Sequence, residues 1–218
     1  MDLAKGFVDK NLPTNLRTIM AQVLIQNFKE PYQDSIYWNI MPVSLHCDFE
    51  NMGLKHLVDE DYDIQRSACN MVAEIFILKL EKEKWQGLLK NLSDQANNPN
   101  YKVQKASITT LGFICENLNR GNNKYHLEVD EIESILQTIC IAIGENQNDI
   151  NLKIAGLKSF QHATIYFLET LQDHKQIREY VMNLLVKCAK SENNEIVMMA
   201  WQTLADMVEN LYDYMQEF

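Results

Sequence analysis

A helical register repeats four times along this 218-residue sequence and limits its fold more than any other feature. Each copy has an apolar residue at its first position, a small residue at its fifth, and apolar residues at its sixth and ninth. These spacings place the apolar side chains on one face of an α-helix, and the small residue lets a partner helix approach closely. The copies occupy residues 64–75, 103–114, 152–163 and 196–207.

The copies begin 39, 49 and 44 residues apart, a spacing typical of HEAT and armadillo repeats. A second amphipathic helix precedes each of the last three copies, around residues 85–92, 132–143 and 177–188. Two helices per repeat, without an obvious third, favour HEAT over armadillo. We therefore predict an all-α fold: a HEAT-repeat solenoid in which about five antiparallel helix pairs wind into a right-handed superhelix.

Turn-forming residues are scarce, which also favours an all-helical chain. The sequence has seven glycines and four prolines, and no proline follows Pro99. That is too little turn chemistry for a β-sandwich or a barrel. We predict a single solenoid over residues 1–218, with residues 1–60 less regular. In that first part we expect an α-helix over residues 32–45, bent at Pro42.

Charge and cysteine content limit the classes of partner. The chain has 20 Lys and Arg against 30 Asp and Glu, a net charge of −10, which argues against nucleic acid and anionic lipid as ligands. No apolar run approaches the ~18 residues that a membrane span needs. Five cysteines without a CxxC pair are typical of a reducing, intracellular compartment with mostly buried thiols. We therefore expect no nucleic acid partner and no membrane insertion.

Motifs of catalysis and cofactor binding are missing from the sequence. No two glycines lie within three residues of one another, which excludes GxGxxG and P-loop phosphate sites. There is no HExxH, no GxSxG and no Cys/His cluster with metal-ligand spacing. The adjacent His46 and Cys47 would point ~100° apart on a helix and could not share a metal. We predict that the protein is not an enzyme and binds no cofactor or metal.

Some apolar positions leave two interpretations open. Met198, Met199 and Trp201 lie in the last copy of the register, where we expect core packing. In the helix at residues 132–143, Leu136 and Cys140 lie beside a separate stripe of isoleucines. A helix that is apolar on two sides either buries both against neighbouring repeats or leaves a groove between the first helices of successive repeats.

The sequence resembles the N-terminal HEAT-repeat region of the importin-β (karyopherin-β) family. The similar segments are KASITTLGFICENL at residues 105–118, NLKIA at 151–155, REYVMNLL at 178–185 and LYDYM at 211–215. They occur in the family's order across three consecutive repeats. The resemblance covers roughly residues 60–218.

The resemblance implies a nuclear transport receptor, found in the cytoplasm, in the nucleus and at the nuclear envelope and its pores. In that family the early repeats contact the GTP-bound form of the GTPase Ran. Grooves between neighbouring first helices of the repeats bind the phenylalanines of nucleoporin FG repeats. The resemblance therefore implies FG repeats and Ran-GTP as partners. It places the FG-binding residues at Leu136, Gln137, Cys140, Ile177, Tyr180 and Val181.

Four of these positions differ from the family's pattern. Gln137 replaces a Thr, Cys140 a β-branched apolar residue, and Ile177 an acidic residue. Tyr180 replaces a Phe and keeps an aromatic wall.

The resemblance also implies that the C-terminal repeats, which wrap the cargo in full receptors, are not part of this chain. An alternative function stays open: a structural HEAT scaffold subunit, derived from a transport receptor, that binds other proteins of a larger complex. A fragment and a naturally short paralogue both agree with the sequence.

Overall fold

The computed structural model describes residues 2–32, 35–80, 85–120, 126–144 and 149–214, and these contain eleven α-helices. The chain divides into two compact units, Met1–Trp85 and Gln86–Phe218. The prediction of an all-α fold built from helix pairs is confirmed, and each copy of the repeated register falls inside one helix.

The first unit packs its helices around a cluster of aromatic rings. The ring of Phe28 makes edge-to-face contacts with Trp38 at 5.1 Å and with Phe49 at 4.9 Å between centroids, and all three are buried. Helix α5 (Tyr62–Leu80) carries the first copy of the register and packs against α2 (Thr14–Lys29) and α4 (Val43–His56). The elements of this unit are α1 (Asp2–Val8), α2 (Thr14–Lys29), β1 (Pro31–Tyr32), β2 (Ser35–Ile36), α3 (Tyr37–Ile40), α4 (Val43–His56) and α5 (Tyr62–Leu80).

The helix predicted over residues 32–45 is wrong. An antiparallel pair of short strands occupies its start, with Pro31 opposite Ile36. Only the single turn α3 follows, and the chain is extended at Met41 (φ −67°, ψ 147°) before Pro42 and α4. Proline disfavours helical backbone in the residue before it, so Pro42 separates two helices where we expected one bent helix.

The second unit contains three helix pairs. Helix α9 (Ile150–Asp173) lies between α7 (Tyr101–Arg120) and α11 (Asn194–Leu211), and these three helices carry the remaining copies of the register. The elements are α6 (Leu88–Gln95), α7 (Tyr101–Arg120), α8 (Val129–Ile143), α9 (Ile150–Asp173), α10 (Lys175–Cys188), α11 (Asn194–Leu211) and a 3-10 turn (Tyr212–Tyr214).

Close contact between α7 and α9 depends on Gly112. A Cβ atom at this position would lie 2.7 Å from the Cα and Cβ of Ser159, so only glycine allows the observed approach. The Ser159 hydroxyl donates a hydrogen bond of 3.0 Å to the carbonyl oxygen of Ile108. On the other side of α9, the Gln161 side chain donates to the carbonyl oxygen of Met199 at 3.4 Å. Small and polar residues thus connect successive second helices of the repeats.

Side chains bind free backbone groups at both ends of α9. Asp149 accepts hydrogen bonds from the amides of Asn151 and Leu152 at the start of α9. At the end of α9, the buried Arg178 guanidinium donates to the carbonyl oxygens of Leu171 and Gln172 at 2.7 and 3.0 Å. One residue separates α9 from α10, so Arg178 ties the two helices together directly.

The expectation of core packing is confirmed for Met199 and wrong for its neighbours Met198 and Trp201. Met199 is buried, whereas Met198 is 64% exposed and Trp201 is 60% exposed. Both exposed residues lie on a side of α11 that no helix of the described part of the chain covers.

Candidate protein-binding groove

Helices α8 and α10 border an open groove of about 430 Å³. The groove is lined by all six residues that the family resemblance singled out. Leu136, Gln137 and Cys140 come from α8; Ile177, Tyr180 and Val181 come from α10. Leu136 and Cys140 are each only 3% exposed, so α8 buries most of its second apolar side, and the groove opens above it.

The floor of the groove is apolar and its rim is mixed. Leu136, Cys140 and Val181 are buried at the floor. The Tyr180 ring rises at the rim and is 55% exposed, and Gln137 is also exposed. A planar apolar group that entered here would meet a preformed floor and one aromatic wall.

Helix α8 can supply this floor because its isoleucines already hold it in place. Ile135, Ile139 and Ile143 are fully buried where α8 packs against α9. Leu136 and Cys140 follow these positions by one residue and so point about 100° away around the helix. The core stripe and the groove stripe therefore lie on two adjacent sides of one helix.

Three further groove residues were missed in the sequence analysis. Glu133 and Ile141 lie four residues before and four residues after Gln137, and Gln176 precedes Ile177. Residues four apart share a helix face, so their spacing from Gln137 could have indicated Glu133 and Ile141. Ile141 stands out as a large apolar side chain that is half exposed at the rim.

The groove carries little charge of its own. Burial raises the pKa of the Cys140 thiol to about 12, so the thiol stays neutral at physiological pH and acts as a small apolar surface. Helix α8 has three acidic residues and no lysine or arginine, and of the three only Glu133 lines the groove. The site therefore favours apolar contacts, with a weak preference for positive charge at one end.

Other kinds of site receive no support from the described residues. Within them, no group of three or more His, Cys, Asp or Glu side chains is placed to hold a metal ion. The helices described for this chain are all too short or too polar to cross a lipid bilayer. Cys69, Cys115, Cys140 and Cys188 are buried, as the sequence analysis expected of most thiols, and Cys47 is exposed.

Comparison with known proteins gives the fold a family context. No protein-family model matches the chain. Importin subunit beta-1 of Arabidopsis thaliana is 20% identical across the whole of this chain, which corresponds to 25% of that protein. A structure of the yeast importin-β, Kap95p, bound to RanGDP superposes with a TM-score of 0.85, at 19% identity and over 99% of this chain. The chain has the importin-β HEAT-repeat fold.

The same fold is found in a complex of Kap95 with Nup1, with a TM-score of 0.79, 18% identity and coverage of 99% of this chain. The resemblance to the importin-β family is thus confirmed, and it extends through the first 60 residues as well. The chain spans about a quarter of the length of the relatives it matches, 25% of each.

Proposed function

We propose that this chain is a protein-binding module of nucleocytoplasmic transport, and that its α8–α10 groove binds the phenylalanines of nucleoporin FG repeats. The single observation that carries the proposal is the convergence of the six residues on one groove with an apolar floor and an aromatic rim. The likeness to Kap95, which is found in a complex with Nup1, supports the same partner class. Such a protein would act in the cytoplasm, in the nucleus and at the nuclear envelope.

Binding would depend on a single ring in each groove. The phenylalanine would lie on Leu136, Cys140 and Val181, beside the Tyr180 ring, and its burial is worth about 1.5–3 kcal/mol. The Gln137 and Gln176 amides can donate to and accept from the peptide backbone at the rim. One such contact gives weak binding that exchanges fast, and several FG motifs on one nucleoporin raise the avidity.

The test is a titration of a fluorescent FG-repeat peptide into the full chain, followed by anisotropy. Tyr180→Ala removes an aromatic wall from a half-exposed position, so the fold should survive while affinity falls about two- to tenfold, the range expected for one aromatic pair. Tyr212→Ala is the matched control, because Tyr212 is an exposed tyrosine that does not line the groove. Equal binding by wild type and Tyr180→Ala, or no binding by a folded wild type, would refute the groove proposal.

Ran is the second partner that we propose. The support is the likeness to Kap95p in its complex with RanGDP, at a TM-score of 0.85. Pull-down of Ran loaded with GTP or with GDP by the immobilised chain tests this directly. Retention of GTP-loaded Ran supports a receptor-like role. If the chain retains neither GTP-loaded nor GDP-loaded Ran but still binds FG repeats, its function is limited to nucleoporins.

The scaffold alternative is favoured by one observation, the exposed apolar side of α11. It predicts a stable complex with a structural partner and no saturable FG binding. The FG titration therefore separates the two functions.

A further inference from the structure

A second pocket, of about 460 Å³, lies in the second unit where α8 and α10 end. Four elements line it: the end of α8, the start of α9, the end of α10 and the turn that leads into α11. We call it the end pocket, and its lining includes Ile143, Lys153, Leu184, Lys187, Ser191 and Asn193.

The floor of the end pocket is apolar. Ile143, Leu184, Cys188 and Ile196 line it and are buried. The Cys188 thiol donates a weak hydrogen bond to the carbonyl oxygen of Ile143 at 3.9 Å, which joins the end of α10 to the end of α8. Burial raises the pKa of this thiol, against the opposing effect of the nearby Lys153 ammonium, so the thiol stays neutral at physiological pH. The floor can therefore bury methylene groups or a small apolar side chain.

The polar side chains of the end pocket are mainly hydrogen-bond donors. Lys153 and Lys187 carry ammonium groups, and the described lining has a single carboxylate, that of the exposed Glu192. The Ser191 hydroxyl oxygen accepts from the amide of Asn193 at 3.2 Å, so the hydroxyl can still donate its proton. The side-chain oxygen of Asn193 accepts from two amides at the start of α11, at 3.0 and 3.1 Å, which leaves its amino group to donate to a ligand. A negatively charged, acceptor-rich group matches this lining.

The donors and the floor together select an acidic peptide segment. A free phosphate ion would pair with the lysines but leave the apolar floor uncovered. Nucleic acid is disfavoured because the chain as a whole has a net charge of −10. A glutamate or aspartate beside an apolar residue satisfies both the donors and the floor.

The end pocket continues the α8–α10 groove along the same two helices. On α10, Leu184 of the end pocket lies four residues after Tyr180 of the groove. On α8, Ile143 lies three residues after Cys140, so each pair shares a helix face. Lys187 lies seven residues after Tyr180, which is about 10 Å along the helix axis. An extended peptide covers that distance with about three residues, so one peptide can reach both sites.

We propose that the end pocket binds a glutamate or aspartate side chain and its apolar neighbour, both from the flank of an FG-type peptide whose phenylalanine lies in the α8–α10 groove. The inference rests on the proposed function and adds a preference among FG ligands for an acidic flank about three residues from the phenylalanine. One flank alone is acidic, because Glu133 lies at the other end of the groove and would repel a second carboxylate.

The experiment titrates fluorescein-labelled peptides into the full chain and follows their anisotropy. Each peptide has one Phe-Gly motif and a Leu-Glu pair about three residues before it or about three residues after it, and its match carries Leu-Gln instead. One of the two Leu-Glu peptides should bind about two- to fivefold more tightly than its match at low salt, the range expected of an exposed ion pair. In about 1 M salt, where charges are screened over about 3 Å, most of this difference should be lost.

Substitutions of lysine locate the preference in the end pocket. Lys187→Gln should reduce the preference for glutamate and leave binding of the Leu-Gln peptide unchanged. Lys90→Gln is the matched control, because it makes the same change of charge at an exposed lysine outside the pocket, and it should keep the preference. Lys187→Glu should reverse the preference, so that a Leu-Lys peptide binds more tightly than the Leu-Glu peptide. Both lysines are exposed, so the fold should survive, and circular dichroism verifies this.

Tyr180→Ala separates this inference from the proposed function. If FG peptides bind and Tyr180→Ala weakens them, but neither Leu-Glu peptide differs from its match, the inference on the end pocket is wrong and the groove proposal stands. A preference for glutamate that Lys187→Gln and Lys90→Gln leave equally unchanged would also overturn the inference. Binding that depends on Lys187 but not on Tyr180 would overturn the groove proposal and, with it, the shared peptide.

Discussion

Replacement of Gly112 by alanine should destabilise the second unit, although the same change usually stabilises a helix. In an exposed helix interior, glycine to alanine gains about 1 kcal/mol of helix propensity. Gly112, however, lies where α7 meets α9, and the new Cβ would lie 2.7 Å from the backbone Cα of Ser159. A backbone atom cannot rotate away, so the two helices must move apart.

The expected size follows from the contacts that separation would disturb. Forcing an extra methyl group into a packed interface costs about 1–3 kcal/mol. Separation would also lengthen the 3.0 Å hydrogen bond from Ser159 to the carbonyl of Ile108, a bond whose loss costs about 1 kcal/mol. After the gain in helix propensity is subtracted, Gly112→Ala should lower the free energy of unfolding by about 1–3 kcal/mol.

Denaturant unfolding followed by circular dichroism measures this change, and Gly6→Ala is the control. The Cβ at Gly6 would meet the thioether of Met20, and a methionine side chain can rotate away at little cost. Gly6→Ala should therefore stay within about 1 kcal/mol of wild type. A Gly112→Ala chain as stable as wild type would show that α7 and α9 do not need the close approach, and the reasoning on repeat packing would fail.

Two further predictions concern titration and thiol chemistry. Burial raises the pKa of Asp59, but the hydrogen bond with His56 and the nearby guanidinium of Arg17 outweigh it and hold the pKa below its usual value. Because the pKa of Asp59 is lower in the folded state than in the unfolded state, its ionised form stabilises the fold fully above about pH 4, and this contribution is lost as the pH falls further. In urea unfolding, the free energy of unfolding of Asp59→Asn should therefore fall less than that of the wild type across this pH range. Cys47 is the exposed thiol, whereas Cys140 is buried with its pKa raised to about 12. Mass spectrometry of the native chain after brief maleimide treatment should show one fast addition, absent in Cys47→Ser, and fast labelling of Cys140 would contradict the closed floor of the groove.

The regular part of the fold was predictable because its signal is local. A small residue followed by an apolar one, as in Gly156 and Leu157, indicates a helix that packs closely against a neighbouring helix. This pattern predicted the positions of all four second helices in the sequence. The irregular segment near Pro42 was predicted wrongly, since strand pairing at Pro31 and burial of Trp38 depend on contacts that a helical pattern does not reveal.

The groove was only partly predictable from the sequence. Periodicity alone marked Leu136 and Cys140 as a second apolar side of α8, but both a buried and an open arrangement satisfied it. The pattern offered a groove between the first helices of successive repeats, and the resemblance to a family was needed to name its six lining residues. Trp201 was misassigned for a related reason: the register fixes which side of a helix a residue occupies, and burial depends on whether another helix covers that side.

The bond between Arg178 and the end of α9 has a consequence for how the groove could be tuned. Arg178 lies outside the groove lining but belongs to the same helix as Tyr180. Its guanidinium donates hydrogen bonds to the carbonyl oxygens of Leu171 and Gln172 in the preceding helix. The distance between the two walls of the groove therefore depends on a guanidinium that no ligand in the groove would contact. A substitution that alters the hydrogen bonds of Arg178 could widen or narrow the groove and leave every ligand-facing side chain unchanged.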